Sequence, residues 1–150
     1  MRQCATPVEL LCLIESEIMS NQLKSLAESL QLCCKKWQIN TKDKKSLSIS
    51  SLFIFSDSFP GFDGHFPGQP VLPAIIQLAA VRYLAELGLG QPVRPRGYSR
   101  TKFRGIIQPD DEVEVTLDLL AEEKQWSGNF TLKRSAKELV SSGSCIFGTN

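Results

Sequence analysis

One apolar helix constrains the fold more than any other feature of this sequence. Ten of the fourteen residues from Ala74 to Leu87 are apolar. A helix that is apolar on nearly all sides must be buried on nearly all sides, and Gly88 and Gly90 favour its end. The rest of the chain must therefore supply a surface that wraps around this helix. The four exceptions are polar or amphipathic: Gln77, Arg82, Tyr83 and Glu86.

Segments with a two-residue period flank the helix on both sides. Before it, Leu47, Ile49 and Phe53 fall on one face of a strand, and a weaker strand precedes them. The order of strand, loop, one helix and then several antiparallel strands predicts an α+β fold, in which a curved antiparallel sheet wraps around one central helix. The further strands are expected at 33–39, 98–107, 113–119, 126–132 and 139–147.

Length and composition indicate one ordinary globular domain. The chain has 150 residues, of which 42% are hydrophobic and 22% charged, with a formal net charge of +1. That charge gives the whole protein no attraction to nucleic acid. We expect residues 1–30 to form an N-terminal extension, helical or partly disordered, and residues 31–150 to form the domain.

The five cysteines have neither metal-ligand spacing nor an oxidising context. Their odd number, without a signal peptide, predicts free thiols in a reducing compartment. Glutamates interrupt the apolar residues near the N-terminus, and no segment is long enough to span a bilayer. These observations predict a cytoplasmic protein without a metal site or a membrane span.

The loop at 57–70 has no regular pattern and holds three prolines and three glycines. Such a density of restricted and permissive residues fixes a loop in one shape. Phe59, Phe62 and Phe66 indicate that this loop is packed against the domain. The loop also contains His65, the single histidine of the chain.

Two motifs resemble those of the beta-hydroxyacyl–acyl-carrier-protein dehydratases. The first is Gly64-His65-Phe66-Pro67-Gly68-Gln69-Pro70-Val71-Leu72-Pro73, which leads directly into the central helix, as the family signature does. The second is the strand and proline-containing turn from Thr101 to Asp111. The resemblance covers roughly residues 45–147, and Gln77-Leu78 is most similar to the aryl-polyene type of dehydratase.

The resemblance implies a hot-dog fold and a site shared between two subunits. It assigns His65 as the catalytic residue and implies a 3-hydroxyacyl substrate carried on phosphopantetheine, with no metal and no dissociable cofactor. The implied partners are acyl carrier protein and a second hot-dog subunit, in a homodimer or a heterodimer. The positions expected to contact the substrate are Gly68, Ala74, Gln77 and Ala79.

Two positions depart from the family pattern. The family acid stands fourteen residues after the histidine, where this chain has Ala79, and the family glycine after the last proline of the signature is Ala74 here. Glu86, Asp63 and Asp57 are alternative acids, although Glu86 lies about 10 Å further along the helix. Gln77 either bonds the substrate or fixes the start of the helix.

Three functions are compatible with these features of the sequence. The first is a 3-hydroxyacyl-[acyl-carrier-protein] dehydratase of fatty-acid or polyene-type biosynthesis, weakened by Ala79. The second is a non-catalytic or heterodimeric subunit that binds acyl carriers, and the third is an acyl thioesterase.

One basic cluster has two interpretations. It is either a docking surface for an acidic carrier protein or a solvated strand edge protected by charge. Residues 100, 102 and 104 are expected to share one strand face. The cluster consists of Arg94, Arg96, Arg100, Lys102 and Arg104.

Overall fold

The computed structural model describes residues 26–62, 68, 70–135 and 137–149. Two helical segments are present in these ranges, α1 at 26–33 and α2 at Ala74–Leu89, together with a short 3-10 turn at Pro60–Phe62. None of the helices in these ranges is long and apolar enough to cross a membrane. The strands are β1 Cys34–Lys42, β2 Ser46–Ile54, β3 Val93–Phe103, β4 Glu112–Ala121, β5 Gln125–Arg134 and β6 Glu138–Thr149.

All six strands form one antiparallel sheet in the order β1-β2-β4-β5-β6-β3. The helix α2 packs against β2 and β4 and also against β3. Strands β2 and β3 are four strand spacings apart, about 19 Å, which exceeds the diameter of a helix at about 10–12 Å. The sheet must therefore curve around α2, and the predicted α+β hot-dog architecture is confirmed.

The core lies between α2 and the inner face of the sheet. Strands β2 and β4 alternate buried and less buried residues along their length, as their two-residue period predicts. Gly88 allows α2 to approach β2 closely, since a Cβ atom there would lie 2.6 Å from a methyl carbon of Leu47. On the helix, the buried residues are Gln77, Ala80, Val81, Leu84, Ala85 and Gly88.

The helix α2 differs from its prediction at its end and on its outer side. It continues to Leu89, and Gly90 is the C-cap with φ 69°. The expected burial on all sides is wrong for the single chain, because the sheet covers only one side. Ala74 is exposed, and Ile75 is 74% exposed.

Strand β3 begins and ends earlier than the predicted 98–107. It ends at Phe103 because the N–H groups of Arg104 and Gly105 both donate to the carbonyl of Val140, which turns the chain out of the sheet. The expected common face of residues 100, 102 and 104 is also wrong. The pairing with β6 shifts between Ser99 and Lys102, Arg100 has a φ of 53°, and Arg104 lies beyond the strand.

The expected boundary between residues 30 and 31 falls inside α1. Leu30 is 3% exposed and belongs to the core, and Leu26 packs against it. Residues 1–25 lie outside the described residues, so a separate N-terminal extension stays a prediction.

Candidate functional site

The site begins at the N-terminus of α2, where two backbone donors have no partner among the described residues. Pro73 precedes the helix in an extended conformation, and no side chain caps it. The N–H groups of Ile76 and Gln77 donate to the carbonyl of Pro73. Those of Ala74 and Ile75 make no hydrogen bond to another described residue. Such free donors at the positive end of a helix attract negative charge.

The core holds both ends of the loop between β2 and α2, which contains the family signature and is here called the signature loop. Phe59 and Phe62 are buried, with their ring centroids 6.1 Å apart, as expected for a packed loop. On the other side, the N–H of Leu72 donates to the carbonyl of Ile107 at 2.8 Å. These anchors fix the ends of the loop relative to the helix.

Within this loop, Gly68 is exposed and has a φ of 88°, a left-handed conformation that favours glycine. His65 lies outside the described residues, together with Asp63, Phe66 and Gln69. The catalytic assignment of His65 and the expected substrate contact of Gly68 therefore stay predictions.

Gln77 points into the core rather than into the solvent. Its side chain accepts a hydrogen bond from the Ser141 hydroxyl at 2.8 Å and donates to the carbonyl of Leu72 at 3.4 Å. A direct contact with substrate would have to use the second N–H or the second oxygen lone pair of this amide, whereas the alternative role in fixing the helix start fits both observed bonds. The predicted substrate contact of Gln77 stays untested.

Ser141 was missed at the level of sequence, although a signal was available. Counting back in twos along β6 from the buried Phe147 places Cys145, Gly143 and Ser141 on the inner face. A serine at an inner position requires a partner, and Gln77 is that partner.

Ala79 is partly buried and packs against the core. No acidic residue occurs between Ala74 and Arg82, so α2 offers no carboxylate within one turn of Ala79. Glu86 lies 3.4 Å from Arg82 in a half-exposed pair one turn apart, and Asp57 is an exposed turn residue. None of these described carboxylates replaces the family acid at Ala79.

Tyr98 lies on β3 and contacts the core rings of Phe130 and Phe147 edge-on. Burial raises the pKa of Tyr98 to about 12, the neighbouring Cys145 adds to the rise, and the charge of Arg82 opposes it. Tyr98 therefore stays protonated at neutral pH and cannot serve as a base.

The five residues of the basic cluster are all exposed, and none forms an ion pair with another described residue. Four of them lie on β3, which is an edge of the sheet within this chain. Arg134 differs from them, because it is held by Glu138 at 2.6 Å and Asp111 at 3.8 Å. This exposed position at a strand edge fits both interpretations of the cluster.

The thiols and carboxylates of the described ranges form no metal-binding group of three or more. Cys33, Cys34 and Cys145 are free thiols. Burial raises the pKa of Cys145 to about 12, so this thiol is unreactive at neutral pH.

Comparison with known families matches residues 39–144 to the ApeI-like family, described as ApeI dehydratase. That range includes the signature loop and all of α2. The chain belongs to the ApeI-like dehydratase family.

Curated relatives carry dehydratase names at low identity. The chain is 37% identical over 68 residues to the 3-hydroxyacyl-[acyl-carrier-protein] dehydratase FabZ of Latilactobacillus sakei. This alignment covers 39% of this chain and 49% of the relative. It is 34% identical over 76 residues to the FabZ of Rickettsia rickettsii, covering 45% and 52%. The chain thus spans about half the length of these relatives.

Solved structures share the fold. The dehydratase heterocomplex ApeI:P from Xenorhabdus doucetiae matches with a TM-score of 0.61 and 19% identity, over 77% of this chain and 96% of that one. The protein yhdA of Lactococcus lactis matches with a TM-score of 0.62 and 17% identity, over 79% of this chain and 92% of that one. At these identities the likeness shows the hot-dog fold alone.

The raised pKa of Tyr98 predicts how the stability of the fold changes with pH. An unfolded tyrosine titrates near pH 10 and the folded Tyr98 near pH 12. The contribution of this pKa difference to the free energy of unfolding is therefore complete below pH 10 and is lost as the pH rises toward 12. We expect Tyr98→Phe to remove the later phase of the tyrosinate absorbance titration and to flatten the fall in stability over this range. A single tyrosinate transition near pH 10 in the folded wild type would contradict the burial argument.

Proposed function

We propose that this chain is a 3-hydroxyacyl-[acyl-carrier-protein] dehydratase-like protein that acts on acyl thioesters in fatty-acid or polyene-type biosynthesis. The observation that carries the proposal is the family match over residues 39–144, which includes His65 and its signature loop. The N–H groups of Ala74 and Ile75 support it, because they have no partner among the described residues and lie directly after that loop.

The proposed reaction removes water from C2 and C3 of the acyl chain. A neutral imidazole of His65 takes the proton from C2, which is feasible at physiological pH. Negative charge then develops on the thioester oxygen, where the N–H groups of Ala74 and Ile75 stabilise it. The C3–O bond breaks, the C2=C3 double bond forms, and the hydroxyl leaves as water once it gains a proton.

The source of that proton distinguishes this chain from the family pattern. Ala79 has no proton to give, and the pair of Glu86 with Arg82 lies about two turns further along α2. The imidazolium formed on His65 in the first step is an acid that the reaction itself produces, and we propose that it protonates the leaving hydroxyl. A missing general acid typically costs on the order of 10²–10⁴ in rate, so we expect slow turnover.

The same proposal specifies the surroundings of the reaction. The substrate arrives on the phosphopantetheine of an acyl carrier protein, and the chemistry needs no metal or dissociable cofactor. A cytoplasmic setting is supported by the free thiols of Cys33, Cys34 and Cys145.

A second candidate function is a subunit of a hot-dog heterodimer that binds acyl carriers. It is favoured by the exposed outer side of α2, where Ile75 is 74% exposed, and by the unpaired edge of β3. A second subunit seated there could bring the carboxyl group that Ala79 lacks. The heterocomplex that shares this fold is a precedent for such an assembly; a homodimer is the other arrangement.

The direct test is incubation of the purified protein with 3-hydroxyacyl carrier substrates. We expect slow formation of the enoyl product, measured by mass spectrometry, and its loss in His65→Ala, because the chain has no other histidine. Turnover that appears only after a second hot-dog protein is added would select the heterodimer. Release of free fatty acid instead of enoyl product would select the thioesterase reading.

Restoring an acid at position 79 should increase the rate. An aspartate at this partly buried position would have a raised pKa and could protonate the leaving hydroxyl. We expect Ala79→Asp to raise kcat by up to about 10²-fold, measured by the same enoyl assay.

The matched control for this gain is Ala79→Asn, which has a similar size but no acidic proton. We expect no gain from Ala79→Asn, and loss of the gain when His65→Ala is added to Ala79→Asp. A folded Ala79→Asp protein without any gain would contradict the placement of residue 79 in the reaction cleft.

The basic cluster gives a test of the carrier partner. We expect Arg100→Glu with Arg104→Glu to weaken binding of an acidic acyl carrier protein, with a loss that shrinks at high salt. The control is Lys36→Glu with Lys42→Glu on the opposite edge strand, which makes the same change of charge on exposed residues. Equal affinities of the two double variants at low salt would contradict the docking role and favour the interpretation of the cluster as a solvated strand edge.

A further inference from the structure

The interior of this domain contains very few polar side chains. Among the described residues, those that are both buried and polar are Ser51, Gln77 and Ser141. Gln77 and Ser141 bond to each other at 2.8 Å across 64 positions of sequence. Burying an amide and a hydroxyl carries a desolvation cost that two apolar side chains would avoid. A pair of this kind therefore fixes a geometry that apolar packing would leave free.

The pair joins three parts of the structure at one point. Ser141 belongs to β6, Gln77 to the first turn of α2, and the carbonyl of Leu72 to the segment before the helix. The N–H of Leu72 itself donates to the carbonyl of Ile107, a residue that follows β3 in the chain. Gln77 thus contacts both the sheet and the segment that leads into α2.

In the first turn of α2, Gln77 is the buried side chain, and Ile76 is only partly buried against the core. The N-cap residue is Pro73, whose side chain makes no capping bond. The next buried contacts on the helix are the apolar residues Ala80 and Val81, which resist separation but not small rotations. The orientation of the first turn therefore depends on the hydrogen bonds of Gln77.

We propose that Gln77 and Ser141 are positioning residues, which hold the first turn of α2 so that the N–H groups of Ala74 and Ile75 point at the thioester oxygen. This inference rests on the proposed dehydratase function. It assigns Gln77 an indirect role in place of a contact with substrate. Donors of this kind act on charge that develops in the transition state, so a misaligned turn lowers kcat more than it changes KM.

The test removes the hydroxyl group and uses a matched serine as its control. Ser141→Ala deletes the bond to Gln77. Ser51→Ala deletes a similarly buried hydroxyl that bonds to Val115 within the sheet. We expect Ser141→Ala to lower kcat by about tenfold, less than the loss of a whole oxyanion donor, with KM within about twofold. The Ser51→Ala protein keeps its kcat, and Ser141→Thr, which retains a hydroxyl, keeps most of it.

A double-mutant cycle then tests whether the two residues act through each other. Gln77→Met keeps the length of the side chain and removes both bonds. If Ser141 acts only through Gln77, adding Ser141→Ala to Gln77→Met lowers kcat no further than Gln77→Met alone. Fully additive losses of kcat would overturn the proposal.

Amide hydrogen exchange of a peptide covering residues 74–80 gives a readout that does not depend on activity. We expect exchange to be about tenfold faster in Ser141→Ala than in the wild type, as for a lost buried hydrogen bond, and unchanged in Ser51→Ala. Unchanged exchange in Ser141→Ala would overturn the positioning role. If the wild type dehydrates no carrier substrate, the proposed function fails, and faster exchange in Ser141→Ala still supports the anchor.

Discussion

The packing of α2 against the inner face of the sheet is the interaction on which the rest of this structure depends. Strands β2, β4 and β3 all contact this helix, so its apolar side sets the curvature of the sheet. The approach is close because Gly88 faces Leu47 and Ile49 without a side chain of its own. Burial of apolar surface has no preferred direction, and this packing alone therefore fixes neither the rotation of α2 nor the position of its first turn.

Polar contacts supply that missing direction, and they are concentrated at one end of the helix. The hydroxyl of Ser141 and the carbonyl of Leu72 hold Gln77 at the N-terminal end, whereas the C-terminal end is closed by a backbone bond to Gly90. A helix whose free donors serve a reaction needs its orientation defined at that end most of all. The distribution of buried polar groups therefore matches the proposed site better than it matches a general need for stability.

The features that sequence predicted are those that follow from periodicity. The two-residue period of β2 and β4 reappears in the burial of their residues, because one face of each strand packs toward the helix and the other is less buried. The prediction failed for β3, since a bulge near Arg100 and the bonds of Arg104 and Gly105 to Val140 interrupt its pattern. Such irregularities depend on the neighbouring strand β6, which local sequence does not contain. The pairing of Gln77 with Ser141 was out of reach for the same reason, because it joins positions 64 residues apart.

Under the proposed function, the alanine at position 79 is expected to slow catalysis by this chain without abolishing it. Enzymes accelerate their reactions by 10⁶-fold or more, and a positioned acid accounts for roughly 10²–10⁴ of such a factor. In the proposed mechanism, the base at His65 and the donors at Ala74 and Ile75 supply part of the remainder. The outer side of α2, with Ile75 exposed, is the surface from which another subunit could reach Ala79. A small residue at position 79 leaves space for a carboxyl group contributed from outside, whereas a larger apolar residue would fill it. The loss of the acid is thus compatible with a site that is completed by a second chain.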